Sequence, residues 1–388
     1  MELKKYKLNE CCEILAGGTP STKIDEYWNG DIPWLSVKDF GSVNKWVSAT
    51  EKSISQQGLE NCPSTMLHKG DLILSARGTI GKTAIVDKNM AFNQSCFGLR
   101  AKEDSISSDF LFYWFKNNQQ IFKSAQQGNV FKSVTLDFFD KNYVSVPDIY
   151  AQKKIAAVLS AFDDKIALNQ RINAKLEAMA KRLYDYWFVQ FDFPNAEGKP
   201  YKSSGGKMVW NEVLKREIPD GWEVKKCADI CKVVTGKEDA NFSTQNGNYK
   251  FFTCSAETLK CDKPAFSGSA ILIAGNGDFN IKHFTGSFNA YQRTYVLIPP
   301  RKYYGILFFA AQEEVSAFIS HSNGSIVKFI TKTDIDNIHI LEGLPNTYYN
   351  FINQLIEKNE KIQIEIEKLI DLRDRLLPLL MNGQVEVS

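Results

Sequence analysis

The chain has 388 residues, and its 47 Lys and Arg residues nearly balance its 45 Asp and Glu residues, for a net charge of +2. Hydrophobic residues make up 44% and charged residues 24%, which is typical of a soluble globular protein of two or three domains. We find no apolar run long enough to span a membrane, and the polar start does not resemble a secretory signal, so we expect a cytoplasmic protein. The balanced charge is not that of an isolated basic DNA-binding module. Any DNA contact must therefore come from locally concentrated charge or from a partner.

The predicted elements are short strands and helices, which indicate mixed α/β domains. Apolar runs bounded by Gly and Asp predict strands, and aromatic-rich stretches with helical spacing predict helices. The predicted strands are 71–75, 83–86, 270–274 and 295–298, and the predicted helices inside the domains are 109–123 and 303–320.

The chain contains an internal duplication. The motif L-x-E-x-C-x-I-x-x-G, from Leu8 to Gly17, corresponds to the segment from Cys227 to Gly236, 219 positions later. Residues 72–74 match 270–272 at an offset of 198, and residues 128–135 match 324–331 at 196. The falling offset indicates that the first copy carries about twenty extra residues, near 34–63. The two copies should therefore share a scaffold and present different surfaces.

Each copy is followed by a long helix. Residues 151–189 and 347–377 contain no Pro or Gly, and their apolar residues step alternately by four and three, as in a coiled coil. About 36 residues at 1.5 Å each span roughly 54 Å, which is longer than a cover for a single small domain needs to be. The two patterns superpose at an offset of 193, and Asn169 and Asn359 occupy positions in them where a polar residue can fix the register. The predicted seam consists of Leu159, Phe162, Ile166, Leu176 and Leu183 in the first helix and of Ile352, Leu355, Ile362, Ile366, Leu369 and Leu376 in the second.

The eight cysteines do not form a metal-binding pattern. Cys227 and Cys231 lie four apart, followed by Cys254 and Cys261, so a zinc site is conceivable. No C-x-x-C is present, however, and the four histidines are scattered. We therefore expect free thiols and no metal or cofactor.

Three segments resemble catalytic motifs, but each lacks a residue, a spacing or a following helix that the motif requires. Residues 76–83 are one residue short of a phosphate-binding loop, and such a loop must run into a helix, whereas 83–86 reads as a strand. The carboxylates and lysine of 220–225 lie too close together for a nuclease site built from converging strands. Residues 298–301 lack the Asn and the aromatic residue of a methyltransferase loop.

Several motifs in order resemble those of specificity subunits of Type I restriction-modification systems. They are the segment 8–21, Ile32-Pro33-Trp34, Gly78-Thr79-Ile80-Gly81, Gln152-Lys153-Lys154-Ile155-Ala156, the segments 186–192 and 218–222, and the closing 376–383. The resemblance extends over nearly the whole chain. The second copy departs from it, because Gly236-Lys237-Glu238 stands in place of Gly18-Thr19-Pro20 and Gly-Thr-Ile-Gly is absent.

The resemblance implies an α/β fold with two pseudo-repeated globular target recognition domains, separated by two long antiparallel coiled-coil helices. Each domain would recognise one half of an asymmetric bipartite target in double-stranded DNA, without catalysis of its own. The helices would dock methyltransferase subunits, two in number, and motor-nuclease subunits would join through the complex. The corresponding segments are a first recognition domain at 1–150, a central helix at 151–190, a Pro- and Gly-rich linker at 191–221, a second recognition domain at 222–345 and a C-terminal helix at 346–388.

Polar and basic residues on predicted loops are candidates for DNA contact, although an ordinary surface role is open for each. Trp34 could stack on a base, but we expect it in the core. Two other functions stay open: a stand-alone methyltransferase or nuclease, and a coiled-coil adaptor that binds only protein. The candidates are Thr19, Ser21, Lys38, Arg77, Lys82, Asn93, Gln94 and Lys132 in the first copy and Lys237, Asn276, Gln292, Arg293, Asn323 and Lys328 in the second.

Overall fold

The computed structural model describes residues 3–41, 45–122, 133–277, 279–321 and 329–387, without the side chains of 318, 320 and 321. The chain forms two compact units: unit 1 comprises Met1–Gln170 and Glu365–Ser388, and unit 2 comprises Arg171–Ile364. Each unit contains one globular repeat and a segment of each long helix. Within the described residues, no helix is both long and apolar enough to cross a membrane.

The described residues of the first repeat form short strands and short helices. Its elements are β1 (Lys4–Lys7), α1 (Leu8–Cys11), β2 (Cys12–Ala16), β3 (Trp28–Leu35), β4 (Trp46–Val47), β5 (Lys52–Ile54), α2 (Gln56–Glu60), β6 (Leu72–Ser75), β7 (Thr83–Val86), β8 (Ala91–Phe92), β9 (Cys96–Ala101), α3 (Ser108–Asn117), α4 (Leu136–Lys141) and β10 (Tyr143–Val146). The long helix α5 (Ile149–Tyr184) follows and ends in a π-helical turn, Asp185–Val189.

The second repeat begins after a β-hairpin. The hairpin consists of β11 (Met208–Asn211) and β12 (Arg216–Pro219). The repeat consists of β13 (Glu223–Lys226), α6 (Cys227–Ile230), β14 (Val233–Thr235), β15 (Tyr249–Phe252), β16 (Thr258–Cys261), β17 (Phe266–Ala274), β18 (Ile281–Ala290), β19 (Thr294–Leu297), α7 (Tyr304–His321), α8 (Lys332–Asp336) and β20 (His339–Glu342), and the long helix α9 (Asn346–Met381) follows it. The hairpin β11–β12 lies in the stretch that composition predicts as a linker, and Phe191, Phe193 and Ile218 from this stretch are buried in the core of unit 2.

The sheets of the two units follow the same path. In unit 2 one six-stranded sheet has the order β14-β19-β17-β18-β15-β16. In unit 1 the equivalent path is β2-β9-β6-β7 in one sheet and β8-β3-β5 in another, because the strand that corresponds to β18 is interrupted between Val86 and Ala91. Every pairing keeps its direction, including the parallel pairs β3–β8 and β15–β18. The internal duplication predicted from sequence is therefore present in the fold.

About half of the extra residues of the first copy lie in one connection within the range that the offsets predict. The connection from β3 to β5 covers residues 36–51, whereas its counterpart from β15 to β16 covers only residues 253–257. The longer connection contributes β4, which pairs in parallel with β7 at the edge of the main sheet.

Each unit has a core to which both long helices contribute. Ile155, Leu159, Leu377 and Leu380 belong to the core of unit 1. In unit 2 the core includes Ala180, Tyr184, Ile352 and Ile356. The interpretation in which each helix merely covers its own domain is therefore wrong, because the two ends of one helix serve different cores.

The helix segments run antiparallel inside each unit. In unit 1, Asp163 contacts Arg373 and Lys165 contacts Glu365. The residue numbers of the contacts therefore rise along α5 while they fall along α9. In unit 2 the Asn359 side-chain amide donates to the Asn173 carbonyl oxygen at 3.1 Å, and Trp187 packs on Tyr348.

The predicted seam is correct in part. Leu159, Ile166, Ile352 and Ile366 are buried. The remaining predicted positions are only half-buried: Phe162, Leu176, Leu183, Leu355, Ile362, Leu369 and Leu376. At four of these positions the next residue along the chain is buried instead, namely Asp163, Tyr184, Ile356 and Leu377.

The sequence patterns of the two helices superpose at an offset of 193, which differs by about one helical turn from the offset between the helices in the structure. The helices begin at Ile149 and Asn346, which are 197 positions apart. A helical pattern repeats about every 3.6 residues, so a shift of four positions leaves the apolar residues nearly superposed. The second helix continues through Pro378 and ends at Met381, seven residues before residue 388, the predicted end of the C-terminal segment.

Candidate nucleic-acid interface

A tight hairpin joins β6 to β7 in unit 1 and exposes two basic side chains. The Ser75 hydroxyl oxygen accepts a hydrogen bond from the Lys82 amide at 2.9 Å and donates to the Thr79 carbonyl oxygen. Gly78 has a φ of +72°, a conformation that favours glycine. Arg77 and Lys82 are exposed on this hairpin. A strand follows Lys82, as predicted, where a phosphate-binding loop would run into a helix.

The loop after β8 lies directly beside this hairpin. The amides of Ala76 and Arg77 both donate to the Ser95 carbonyl oxygen, at 2.8 and 3.2 Å. In the same loop the Asn93 side-chain oxygen accepts from the Ser95 amide at 3.1 Å. The Thr19 hydroxyl contacts the side-chain oxygen of Gln94. Two separate segments of sequence thus form one surface.

This surface borders a cleft of about 460 Å³ in unit 1. Trp34 forms its floor: it is only 7% exposed, and its indole N–H donates to the Gly18 carbonyl oxygen at 3.0 Å, so the expected core position is confirmed. The carboxylates of Asp39 and Glu51 line the cleft, and so do three cations and three polar groups: Lys38, Lys52, Arg77, Thr79, Asn93 and Ser95. Side chains of this kind donate to phosphate oxygens and to base edges.

The sequence-predicted residues of unit 1 meet at this cleft only in part. Lys38, Arg77 and Asn93 line it. Thr19 and Gln94 adjoin it through their hydrogen bond, whereas Ser21 and Lys82 are exposed but do not line it.

Lys52 was not predicted. The strand register places it directly opposite Trp34, and its ammonium lies 5.4 Å from the centre of the Trp28 ring. A prediction that residues 32–34 pair with an antiparallel strand at 52–54 would have placed Lys52 beside Trp34.

Cys96 lies behind the cleft and is 2% exposed. Burial, with Asp39 as a nearby negative charge, raises the pKa of its thiol to about 12. The thiol therefore stays protonated at neutral pH and offers no nucleophile to the cleft.

The equivalent loops of unit 2 form a matching surface. The Gly275 amide donates to the Arg293 carbonyl oxygen at 2.9 Å, as Ala76 does to Ser95, and the Ile330 amide donates to the Gly275 carbonyl oxygen as Val134 does to Ala76. These bonds place the hairpin that carries Asn276 beside the loop that carries Gln292 and Arg293.

Lys237 adjoins the same surface of unit 2. The Gln292 backbone amide donates to the carbonyl oxygen of Glu238, the residue after Lys237, and the Gln292 side-chain amide donates to an Asp239 carboxylate oxygen at 2.6 Å. The candidates Lys132, Asn323 and Lys328 lie outside the described residues.

The residues that resemble nuclease and zinc motifs have other partners. Asp220 forms an ion pair with Lys207 at 2.8 Å, and Lys225 contacts Glu342. All eight cysteines are free, and among the described residues no group of three or more His, Cys, Asp or Glu side chains is placed to hold a metal ion.

Comparison with known proteins identifies one family. The model of the Type I restriction modification DNA specificity domain matches residues 1–178 and 219–368. The specificity subunit of the Type I restriction enzyme MjaIX from Methanocaldococcus jannaschii is 28% identical over 98% of this chain and 93% of its own length. The specificity subunit of EcoDI from Escherichia coli is 32% identical over 44% of this chain and 40% of its own length. The crystal structure of a Type I system S subunit from M. genitalium has the same fold, with a TM-score of 0.63 at 15% identity over 98% of this chain and 96% of that one.

Proposed function

Because the chain belongs to the Type I restriction-modification DNA specificity family, and is thus a non-catalytic DNA-recognition subunit, we propose that each unit recognises one half of a bipartite DNA target. The observation that carries this proposal is the matched pair of loop surfaces. Both units hold a hairpin and the loop before β9 or β19 together through the same backbone hydrogen bonds, while the side chains differ. Different side chains on one scaffold recognise different base edges, so the full target is asymmetric.

Basic residues are concentrated at these loops although the whole chain is nearly neutral. Arg77, Lys38 and Lys52 border the cleft of unit 1, and Lys237 and Arg293 are exposed on the loops of unit 2. Phosphate contacts by such groups give binding that weakens steeply with salt. The small net charge suggests that partner subunits supply further phosphate contacts.

We also assign the docking of methyltransferase subunits, two per chain, to the exposed faces of the long helices. Leu168 and Met179 on α5 and Ile364 and Leu372 on α9 are apolar and between 38% and 49% exposed. Apolar groups left exposed on long helices are suited to a protein partner. Motor-nuclease subunits would join through that complex, in the cytoplasm.

The test uses the chain assembled with its methyltransferase partner. Arg77→Ala and Arg293→Ala are expected to weaken binding to target DNA at least tenfold at 0.15 M salt, whereas Lys215→Ala, a change at an exposed lysine on the β11–β12 turn, leaves binding unchanged. DNA affinity unaffected by both arginine changes would contradict the proposed surfaces.

The two alternative functions predict different results, which binding measurements distinguish. A stand-alone methyltransferase would bind a methyl donor without any partner, and calorimetry on the isolated chain measures this directly. A protein-only adaptor would assemble with the methyltransferase yet add no salt-dependent affinity for DNA.

A further inference from the structure

Beside its cleft, unit 1 has a longer connection between strands than unit 2 has at the equivalent place. The 36–51 connection passes the cleft and brings Lys38, Asp39 and Glu51 to its lining, next to Lys52 at the start of β5. The counterpart in unit 2 has only residues 253–257. Among the described residues, the sheet of unit 2 has no strand in the place of β4.

The described parts of the 36–51 connection, residues 36–41 and 45–51, are attached to the rest of the domain. Phe40 and Val47 are 6% and 3% exposed and belong to a core cluster beneath the sheet. The Ile85 amide donates to the Lys45 carbonyl oxygen at 2.8 Å, which attaches the far end of the connection to β7. Lys45 itself is buried, and its ammonium donates to the Ser160 hydroxyl on α5 at 2.7 Å.

One carboxylate joins the two ends of the connection at the cleft. Asp39 accepts from the Ser36 amide at 2.7 Å and from the Ser36 hydroxyl at 2.9 Å through one oxygen, and from the Glu51 amide at 2.8 Å through the other. This arrangement fixes the backbone on either side of the basic residues. Lys38 follows Ser36 by two positions, and Lys52 follows Glu51 directly.

On the basis of these contacts, and resting on the proposed function, we propose that the 36–51 connection makes unit 1 recognise a longer half-site than unit 2 does. Lys38 and Lys52 are its specificity-determining residues, and Asp39 is the residue that positions them. Lysine in the major groove donates most often to the O6 and N7 acceptors of guanine, so the additional position of this half-site carries a guanine.

The experiment maps methylated bases in cells that express this chain with its methyltransferase partner. Arg293→Ala first identifies the half-site of unit 2, since only that half should change. The other half should be longer by at least one base pair. Lys38→Ala and Lys52→Ala should relax a guanine position in that longer half and leave the other half intact.

Controls separate specificity from loss of charge or of folding. Lys69→Ala and Lys88→Ala remove exposed lysines from other connections of unit 1 and should leave the motif unchanged. Asp39→Ala should relax the same position as the lysine changes, whereas a purely structural role would lower total methylation without altering the motif.

Half-sites of equal length, or a motif unchanged in both lysine variants, would overturn this inference while the proposed function stands. If no bipartite motif appears at all, or if changes in both units affect the same half, the proposed function itself fails.

Discussion

A buried carboxylate on each long helix joins it to the globular part of its unit. In unit 1, Asp163 is paired with Arg373 at 2.5 Å and accepts from the Tyr113 hydroxyl at 2.5 Å. In unit 2, Glu360 accepts from the Tyr304 hydroxyl at 2.7 Å and lies 2.8 Å from the His283 ring. The two carboxylates are 197 positions apart, like the starts of their helices, so the contact belongs to the repeated scaffold.

Removal of one partner of the Asp163–Arg373 pair should be strongly destabilising. Their side chains are 2% and 4% exposed, so Arg373→Met leaves a buried charge without a partner and should cost about 3–5 kcal/mol. The midpoint of urea unfolding measures this. The double variant Asp163→Leu/Arg373→Met should recover much of the loss, and equal losses in both variants would contradict the assignment.

Glu342 gives a pH-dependent contribution to stability. Burial alone raises its pKa, but hydrogen bonds from Lys225, Lys302 and Tyr303 outweigh burial and lower the pKa to about 2. A lowered pKa stabilises the folded chain above the ordinary value of 4.5, and this contribution is lost as the pH falls toward 2.

Glu342→Gln should therefore be less stable than the parent chain at pH 7, and the difference should shrink between pH 5 and pH 2. Denaturant unfolding at a series of pH values measures it. Glu212→Gln, at an exposed ion pair with Lys215, is the matched control for the loss of one surface carboxylate. A difference that stays constant with pH would mean that the three hydrogen bonds do not govern this carboxyl group.

At the level of elements, the motif glycines let the chain after β2 and after β14 pass close to the backbone at the ends of β8 and β18. A Cβ atom on Gly236 would lie 1.9 Å from the Ala290 carbonyl oxygen, and one on Gly17 would lie 2.3 Å from that of Asn93. Both contacts are far inside van der Waals distance. This close approach explains why the sequence motif ends in glycine in both copies.

Gly236→Ala should destabilise unit 2 by about 3 kcal/mol or more, because the backbone of β18 must move to admit the methyl group. Gly277→Ala is a useful comparison, since no atom lies within 4 Å and only the positive φ is unfavourable, at a cost of about 1 kcal/mol. Unfolding midpoints rank the two variants, and equal costs would show that the crowding at Gly236 is relieved without strain.

The sequence predicted regular elements better than it predicted contacts. Strands 83–86 and the two long helices have local hydrophobic patterns, and the structure confirms them. Lys52 reaches the cleft only through its ladder with Trp34, which no local pattern records. The predicted seam did not include Asp163, because a charged residue is not expected at a buried position unless its partner is known. The partner, Arg373, lies far along the chain.

At the scale of the molecule, we propose that the long helices act as a spacer that sets the gap between the half-sites. One heptad of helix is about 10.5 Å long, close to three base pairs of B-form DNA. Deletion of one heptad from both α5 and α9 should therefore change the unrecognised gap by about three base pairs. Methylation mapping measures the gap, and an unchanged gap would contradict a spacer role for the helices.

The most direct test of two independent recognition units is a comparison of methylated motifs in cells carrying the parent chain, an Arg77→Ala variant or an Arg293→Ala variant, each with the same methyltransferase partner. The account predicts a bipartite motif in which the unit 1 variant alters one half and the unit 2 variant alters the other. A contiguous motif, or variants of both units that alter the same half, would contradict it.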